Sequence, residues 1–355
     1  MKILLFGLLG MSTTLMAQKD SVFKKIVVSA YLETYYGYDF GNPSDHERPD
    51  FMFSHNRHNT LGINLGFIKV NFEQHRVRAN LAFMAGTYSN ANLSSEPGVL
   101  KNIYEANAGI QLSKKHRIWF DAGVFPSHIG FESPIGKDCW TLSRSILADN
   151  SPYYESGIKL SYTDQKERWF FSLLGLNGWQ HIQQPQGYTA PGIGHQLTFK
   201  PSKKWILNSS SFVGSNTPDS MRKMRYFHNF YGIFQWNSKW GITLGFDFGF
   251  EQQVKHGTAY NSWYSPVCIL RYQSIKKWSA ALRGEYYSDP EQVMIHSGTG
   301  FKTFGYSLNI DYAFYENVLF RIEGKGLVSE NKVFERNGTP DRQNFAVYGA
   351  FIVAF

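Results

Sequence analysis

The chain closes on the eleven residues FAVYGAFIVAF, in which Phe345, Val347, Gly349, Phe351, Val353 and Phe355 share one face at period two. A strand rising about 3.3 Å per residue and tilted about 45° separates Phe345 from Phe355 by roughly 24 Å along a membrane normal. That is close to the roughly 25 Å between the aromatic girdles of a transmembrane barrel. An ending of this kind predicts a membrane strand, provided the rest of the chain repeats the pattern.

It does. Aromatic residues make up 17% of the chain and Gly is frequent at 32, yet mean hydropathy is slightly negative at −0.33. Beyond the first seventeen residues there is no continuous apolar run of about 18, which excludes helical spans; a barrel instead hides its apolar content in every second position. One face carries Ile242, Leu244, Phe246, Phe248 and Phe250 while the other carries Thr243, Gly245, Asp247, Gly249 and Glu251. The same sorting sets Tyr306, Leu308 and Ile310 outward against Ser307, Asn309 and Asp311, and Phe320 and Ile322 outward against Arg321, Glu323 and Lys325. Earlier in the chain Leu81 and Phe83 face out against Arg78 and Asn80, and Tyr104, Ala106 and Ala108 against Glu105 and Asn107. The lumen wall is therefore expected to carry Arg78, Glu105, Asp247, Arg283, Glu285, Asp311, Arg321, Glu323 and Lys325. A soluble β-sandwich also alternates, but it places its polar residues outside.

The fold class is all-β, a transmembrane antiparallel barrel of about sixteen strands with short turns on one side and long loops on the other. Short connections fall near 73–76, 113–117, 163–168, 200–204, 236–240, 273–277 and 314–318, and long ones alternate with them. In outer-membrane barrels the short turns are periplasmic and the long loops external. The formal net charge of +8 follows the short turns, as at Lys114-Lys115 and Lys276-Lys277, so it reads as a solvated rim and not as a nucleic-acid surface. Two segments resist sorting, 168–178 and 225–236, with large apolar residues on both faces. Pro266 lies inside an interior strand, which predicts a bulge or a shortened strand.

Residues 1–17 read as a signal peptide, with Lys2, an apolar stretch and Ala17 before Gln18; residues 18–355 form the barrel. Only the short segment from Gln18 to Lys25 precedes the first strand, so no plug domain is expected. Cys139 and Cys268, one in a loop and one on a lipid-facing strand, are expected to stay unpaired.

The longest connection, Pro126 to Pro152, reads PSHIGFESPIGKDCWTLSRSILADNSP. Gly123, Phe125, Ile129, Gly130, Glu132, Arg144, Pro152 and Gly157 match a pattern in which a strand ends G-x-F-x-x-x-I-G-x-E before a long loop and a strand opening with Pro, an aromatic residue and Gly. In this the chain resembles the OmpL-like members of the second β-barrel porin family. Likewise Phe351, Val353 and Phe355 resemble the C-terminal signal by which the barrel-assembly machinery recognises bacterial outer-membrane proteins. The resemblance implies an outer-membrane diffusion channel and leaves the solute open.

So long a loop is uncommon unless functional. Its apolar residues, among them Phe131, Trp140, Leu142 and Ile146, need burial, which a barrel offers only inside. The loop is expected to fold into the lumen and to carry His128, Glu132, Asp138, Arg144 and Asp149 as a pore constriction, because opposed fixed charges sort ions and polar solutes. His46, His55 and His58 crowd one external loop beside acids, but no third metal ligand has defined spacing, and a solvated cluster is expected. Ser127-His128 lacks a nucleophile elbow. No P-loop, dinucleotide fingerprint or zinc pattern is present.

The sequence thus points to a passive porin for ions and small polar solutes, without catalytic residues, metal or cofactor. Its partners would be outer-membrane lipid, the assembly machinery and further copies in a homotrimer. The rivals are an outer-membrane hydrolase that uses the barrel as a scaffold, and an occluded structural or adhesive barrel.

Overall fold

A computed structural model describes residues 25–274 and 276–355. The proposed signal peptide lies outside the described residues. The strands in chain order are β1 (Ile26–Asp39), β2 (Thr60–Gln74), β3 (Val77–Ala85), β4 (Ile103–Gln111), β5 (Arg117–Pro126) and β6 (Tyr154–Thr163). They continue as β7 (Trp169–Leu176), β8 (Gly192–Ser202), β9 (Trp205–Ser215), β10 (Met224–Gln235), β11 (Trp240–Gln252) and β12 (Tyr260–Gln273). The series ends with β13 (Trp278–Asp289), β14 (Phe301–Tyr315), β15 (Val318–Ser329), a small external hairpin of β16 (Phe334–Arg336) and β17 (Thr339–Asp341), and β18 (Gln343–Ala354). Leaving out the hairpin, sixteen antiparallel strands close into a barrel in which each pairs with its chain neighbour and β18 returns to β1.

Closure satisfies every sheet edge, as a hydrocarbon environment demands. At the seam Tyr31 pairs with Ala354 and Asp39 with Ala346, and the Phe355 amide donates to the Ala30 carbonyl at 2.9 Å. Period-two sorting holds along the strands wherever the register is regular: Phe246, Leu308, Ile322 and Phe351 are exposed to the outside, and Asp247, Asn309, Glu323 and Ala350 are buried inside.

Depth in the membrane is marked by a repeated device. β7, β9, β11 and β13 each open with a Trp directly after a short turn, and each Trp packs against the aromatic residue directly opposite it. The pairs are Trp169 with Phe199, Trp205 with Phe234, Trp240 with Tyr272 and Trp278 with Tyr312, with ring centroids 4.1, 5.5, 4.8 and 4.7 Å apart. Amphipathic rings in register form the girdle at the short-turn interface.

Two expectations change. A register shift between Ala82 and Phe83 turns Tyr104 inward, where it stacks on Phe67 at 4.9 Å, so Tyr104 is a lumen residue and not a lipid-facing one. Pro266 needs neither a bulge nor a shorter strand, because β12 runs straight through it. The β12–β13 ladder opens for two residues there, and the Ser265 hydroxyl donates to the Tyr286 carbonyl at 2.8 Å in place of the missing amide.

The segments that resisted sorting are explained by a filled lumen. Leu174 and Leu176 of β7 and Phe227 of β10 point inward into a cluster with Phe51, Phe125, Ile129, Ile146 and Trp179. Apolar residues on both faces mean lipid outside and packed loops inside.

Candidate functional site

The connection between β5 and β6 lies within the barrel, and side chains of β13, β14 and β15 hold it by its main chain. The Leu142 amide donates to Asn309 Oδ1 at 3.1 Å and the Ile146 amide to Glu285 Oε2 at 2.6 Å. Lys325 Nζ donates to the Arg144 carbonyl at 2.9 Å, and Arg283 Nη1 to the Ser143 carbonyl at 2.8 Å. Deeper in, Arg321, braced by Asp311 at 2.6 Å, donates to the carbonyls of Gly136 and Cys139 at 2.6 and 3.1 Å. The main-chain groups of an irregular segment must find partners once buried, and here the wall supplies them.

The wall cations and acids also pair with one another. Arg283 lies 3.0 Å from Glu323, 3.4 Å from Glu285 and 3.7 Å from Glu132, and Lys325 lies 3.2 Å from Glu285. All of these are buried. A buried network of this kind costs desolvation and holds only when its members are satisfied together, so it specifies one arrangement of the loop.

Two wall glycines receive rings of the loop. A Cβ at Gly245 would overlap the Phe131 ring, and one at Gly194 would lie 2.7 Å from His128 Nε2. His128 sits between Glu155 Oε2 and the Ser211 carbonyl, 2.8 Å from each. Burial opposes charge on its imidazole, but Glu155 outweighs it and raises the pKa. With Ser127 bonded to Glu155 at 3.2 Å, serine and histidine do not meet as nucleophile and base.

The five expected constriction residues take different positions. Arg144 is fully buried, and its guanidinium donates to the loop's own Ser133, Leu142 and Pro134 carbonyls at 2.7, 2.6 and 3.1 Å. Glu132 accepts from the Ser145 amide at 3.0 Å and from the Ser145 hydroxyl. Ser145 in turn caps the short helix Ile146–Asp149. Glu132 and Arg144 thus shape the loop instead of presenting charge to water. Asp149 is buried, and burial pushes its carboxyl up to about 7 against the pull of Lys325 and Arg144. Asp138 alone of the five is exposed, beside Lys137, on a cavity of about 300 Å³ near the short turns.

Among the lumen-wall residues, Asp247 is buried and its Oδ1 accepts from Asn229 Nδ2 at 2.5 Å. Arg78 and Glu105 occupy the far side of the barrel. There Arg78 pairs with Asp121 at 2.7 Å and stacks over Trp119, Lys69 pairs with Glu105, and Lys159 lies over the Phe125 ring. Asn80 donates to Asn107 in the same stretch at 2.8 Å. Lys69, Arg78, Asn80, Asn107 and Lys159 remain half-buried, so water reaches the lumen along β2–β6, while β10–β15 is covered by the loop.

The mouth is also filled. His55, expected on a solvated surface, is buried with Nε2 2.6 Å from Glu33, and His58 Nδ1 accepts the Asp39 amide at 2.9 Å, because the 40–57 loop turns back into the barrel. No group of three potential metal ligands occurs among the described residues. Above the apolar cluster an external cavity of about 720 Å³ is lined by Asp39, Arg48, Phe51, Asn150 and Phe334. Cys139 and Cys268 are free thiols, the first buried and the second on the lipid face.

Solved porins share this architecture. The anion-selective porin from Comamonas acidovorans superposes with a TM-score of 0.64 at 9% identity, covering 93% of this chain and 99% of that one. The DcaP channel of Acinetobacter baumannii gives 0.59 at 8% identity over 93% and 97%, and OmpF of Salmonella typhi 0.57 at 9% over 93% and 97%. No curated protein matches the sequence. The family model described as "Putative beta-barrel porin-2, OmpL-like" matches residues 25–355. The chain belongs to this OmpL-like β-barrel porin family and is a porin of the bacterial outer membrane.

Proposed function

We propose that the chain is a passive diffusion channel for ions and small polar solutes, and that the 126–152 loop sets its pore. The observation that carries this reading is the one-sided seat of the loop, which leaves water access along β2–β6. On that wall the cations Lys69, Arg78 and Lys159 are half-buried, whereas the acids Glu105, Asp121 and Glu155 are buried and the exposed acid Glu73 lies at the short-turn end of β2. Beyond that turn the fixed charge presented to the water is therefore positive, and the channel prefers anions. The Comamonas porin is itself described as anion-selective. With the loop docked, the apolar cluster around Phe51, Ile129 and Trp179 fills the opposite part of the lumen and confines flow to the passage along β2–β6. Glu132 and Arg144 act on conductance through the loop's shape and not through their charge.

The channel assembles as a homotrimer, as one Vibrio cholerae relative of the same fold is described, and Phe351, Val353 and Phe355 present it to the assembly machinery. Bilayer recordings in a salt gradient test the reading. Arg78→Ala is expected to move the reversal potential towards cations, and Arg144→Ala to raise conductance with little change in reversal potential. A cation-preferring wild type, or a selectivity change confined to Arg144→Ala, overturns it.

A further inference from the structure

Among the described residues the lipid-facing wall is mostly apolar, and at one place polar side chains cluster on it. On β8, β9 and β10 the outward positions include His195, Ser209, Ser211 and His228, gathered into one patch. His195 Nδ1 lies 2.5 Å from Ser211 Oγ, His228 Nε2 lies 3.0 Å from Ser209 Oγ, and the two imidazoles are 5.6 Å apart. His195, Ser211 and His228 sit directly opposite one another across the three strands, and the same row continues into Leu173 on β7 and Phe248 on β11.

The depth of the patch decides what can meet it. Ser211 stands six residues from Trp205, the girdle residue that opens β9. At about 2.3 Å of membrane normal per residue of tilted strand, this is roughly 14 Å into an apolar band about 25 Å tall. Lipid headgroups and bulk water do not reach the midplane, and acyl chains offer neither donor nor acceptor. Each imidazole spends one ring nitrogen on a serine, and the second has no partner among the described residues. A polar group turned to hydrocarbon without a partner is costly and marks a protein-facing surface.

Shape agrees with chemistry. Beside the patch a groove of about 460 Å³ runs over Ser209 and Gly232 between Leu197, Leu207, Phe230 and Phe246. Small residues lower the wall so that another backbone comes close, and the groove takes an aromatic side chain of the kind that covers this chain's own outer face. Neutral imidazole offers a donor at one nitrogen and an acceptor at the other, so two of them can meet a partner bearing the same groups.

We propose that the β8–β10 face is the contact by which copies of this chain associate in the membrane, with His195 and His228 hydrogen-bonding across it. The proposal rests on the outer-membrane placement and is independent of pore selectivity. To test it, benzoylphenylalanine is placed at His228, and separately at Leu282 as a lipid-facing control, and outer membranes are irradiated. Adducts at twice the chain mass from position 228 and none from 282 support the proposal. Adducts only to lipid, adducts only to a different protein, or none from 228 overturn it. In parallel, the His195→Leu/His228→Leu double variant is expected to run as a heat-modifiable monomer on semi-native gels while the wild type runs as an oligomer. A monomeric wild type, or a double variant that stays oligomeric, overturns it equally, and retained heat-modifiability shows that the variant barrel has folded.

Discussion

The ammonium group of Lys325 donates to the main-chain carbonyl of Arg144 at 2.9 Å, so the wall grips the loop by its backbone while the Arg144 side chain turns back into the loop itself. Selective effects of substitution follow from that division of labour.

Breaking the wall network should release the loop. Removing one partner of a buried pair leaves the other charge uncompensated, at about 3–5 kcal/mol. Glu323→Ala strips Arg283 of its 3.0 Å partner and the Ser143 amide of its acceptor. The expected outcome is higher, noisier single-channel conductance and new trypsin cleavage at Lys137 or Arg144 in a barrel that still inserts. Wild-type conductance and protection would show that the network is dispensable for docking.

Acid should favour the docked loop. Burial raises the Asp149 carboxyl from 3.8 to about 7, so the docked state holds a proton that a released loop would lose; the gain is complete below about pH 4 and fades as pH rises through 7. Each unit of difference is worth about 1.4 kcal/mol. The His128 imidazole, raised beside Glu155, adds stability present below its ordinary value of 6.5 and lost as pH rises through its folded value. Conductance is expected to fall between pH 8 and pH 5. Asp149→Asn should flatten that dependence, and an equally steep profile in this variant refutes the assignment.

Facing decides tolerance on β11. Phe246 is exposed to lipid six residues above Trp240, near the midplane, and Arg there should cost about 2–4 kcal/mol. Phe246→Arg is expected to lower the urea midpoint of unfolding from bilayers, whereas Asp247→Asn, under the loop beside Asn229, should leave it nearly unchanged. Equal midpoints would reverse the facing given to this strand.

Deleting Phe355 removes two main-chain bonds to Ala30 at the seam together with the terminal aromatic residue. Export should continue while insertion fails, seen as loss of heat-modifiable barrel from outer-membrane fractions. Normal insertion of the truncated chain would dismiss the C-terminus as an assembly signal.

Strand number, turn positions and facing were legible because alternation between lipid and lumen is written into each strand locally. Tyr104 was misplaced because a register shift depends on the neighbouring strand, and Pro266 because the compensating Ser265 hydroxyl acts across the ladder. Arg321, Glu323 and Lys325 were legible as a charged stripe of the lumen wall, and it is on that stripe that the loop is seated. The role of Arg144 was hidden, since its partners are carbonyls that every residue carries. Inward glycines such as Gly194 and Gly245 were the available signal for where the loop's rings would lodge.

The seat of Leu142 has a consequence for biogenesis. It packs among Tyr35 of β1 and Ala346, Tyr348 and Ala350 of β18, residues brought together only when the last strand anneals to the first. The loop therefore cannot finish packing before the cylinder is complete. Docking of the 126–152 loop is thus a late step of assembly, downstream of the annealing of β18 to β1.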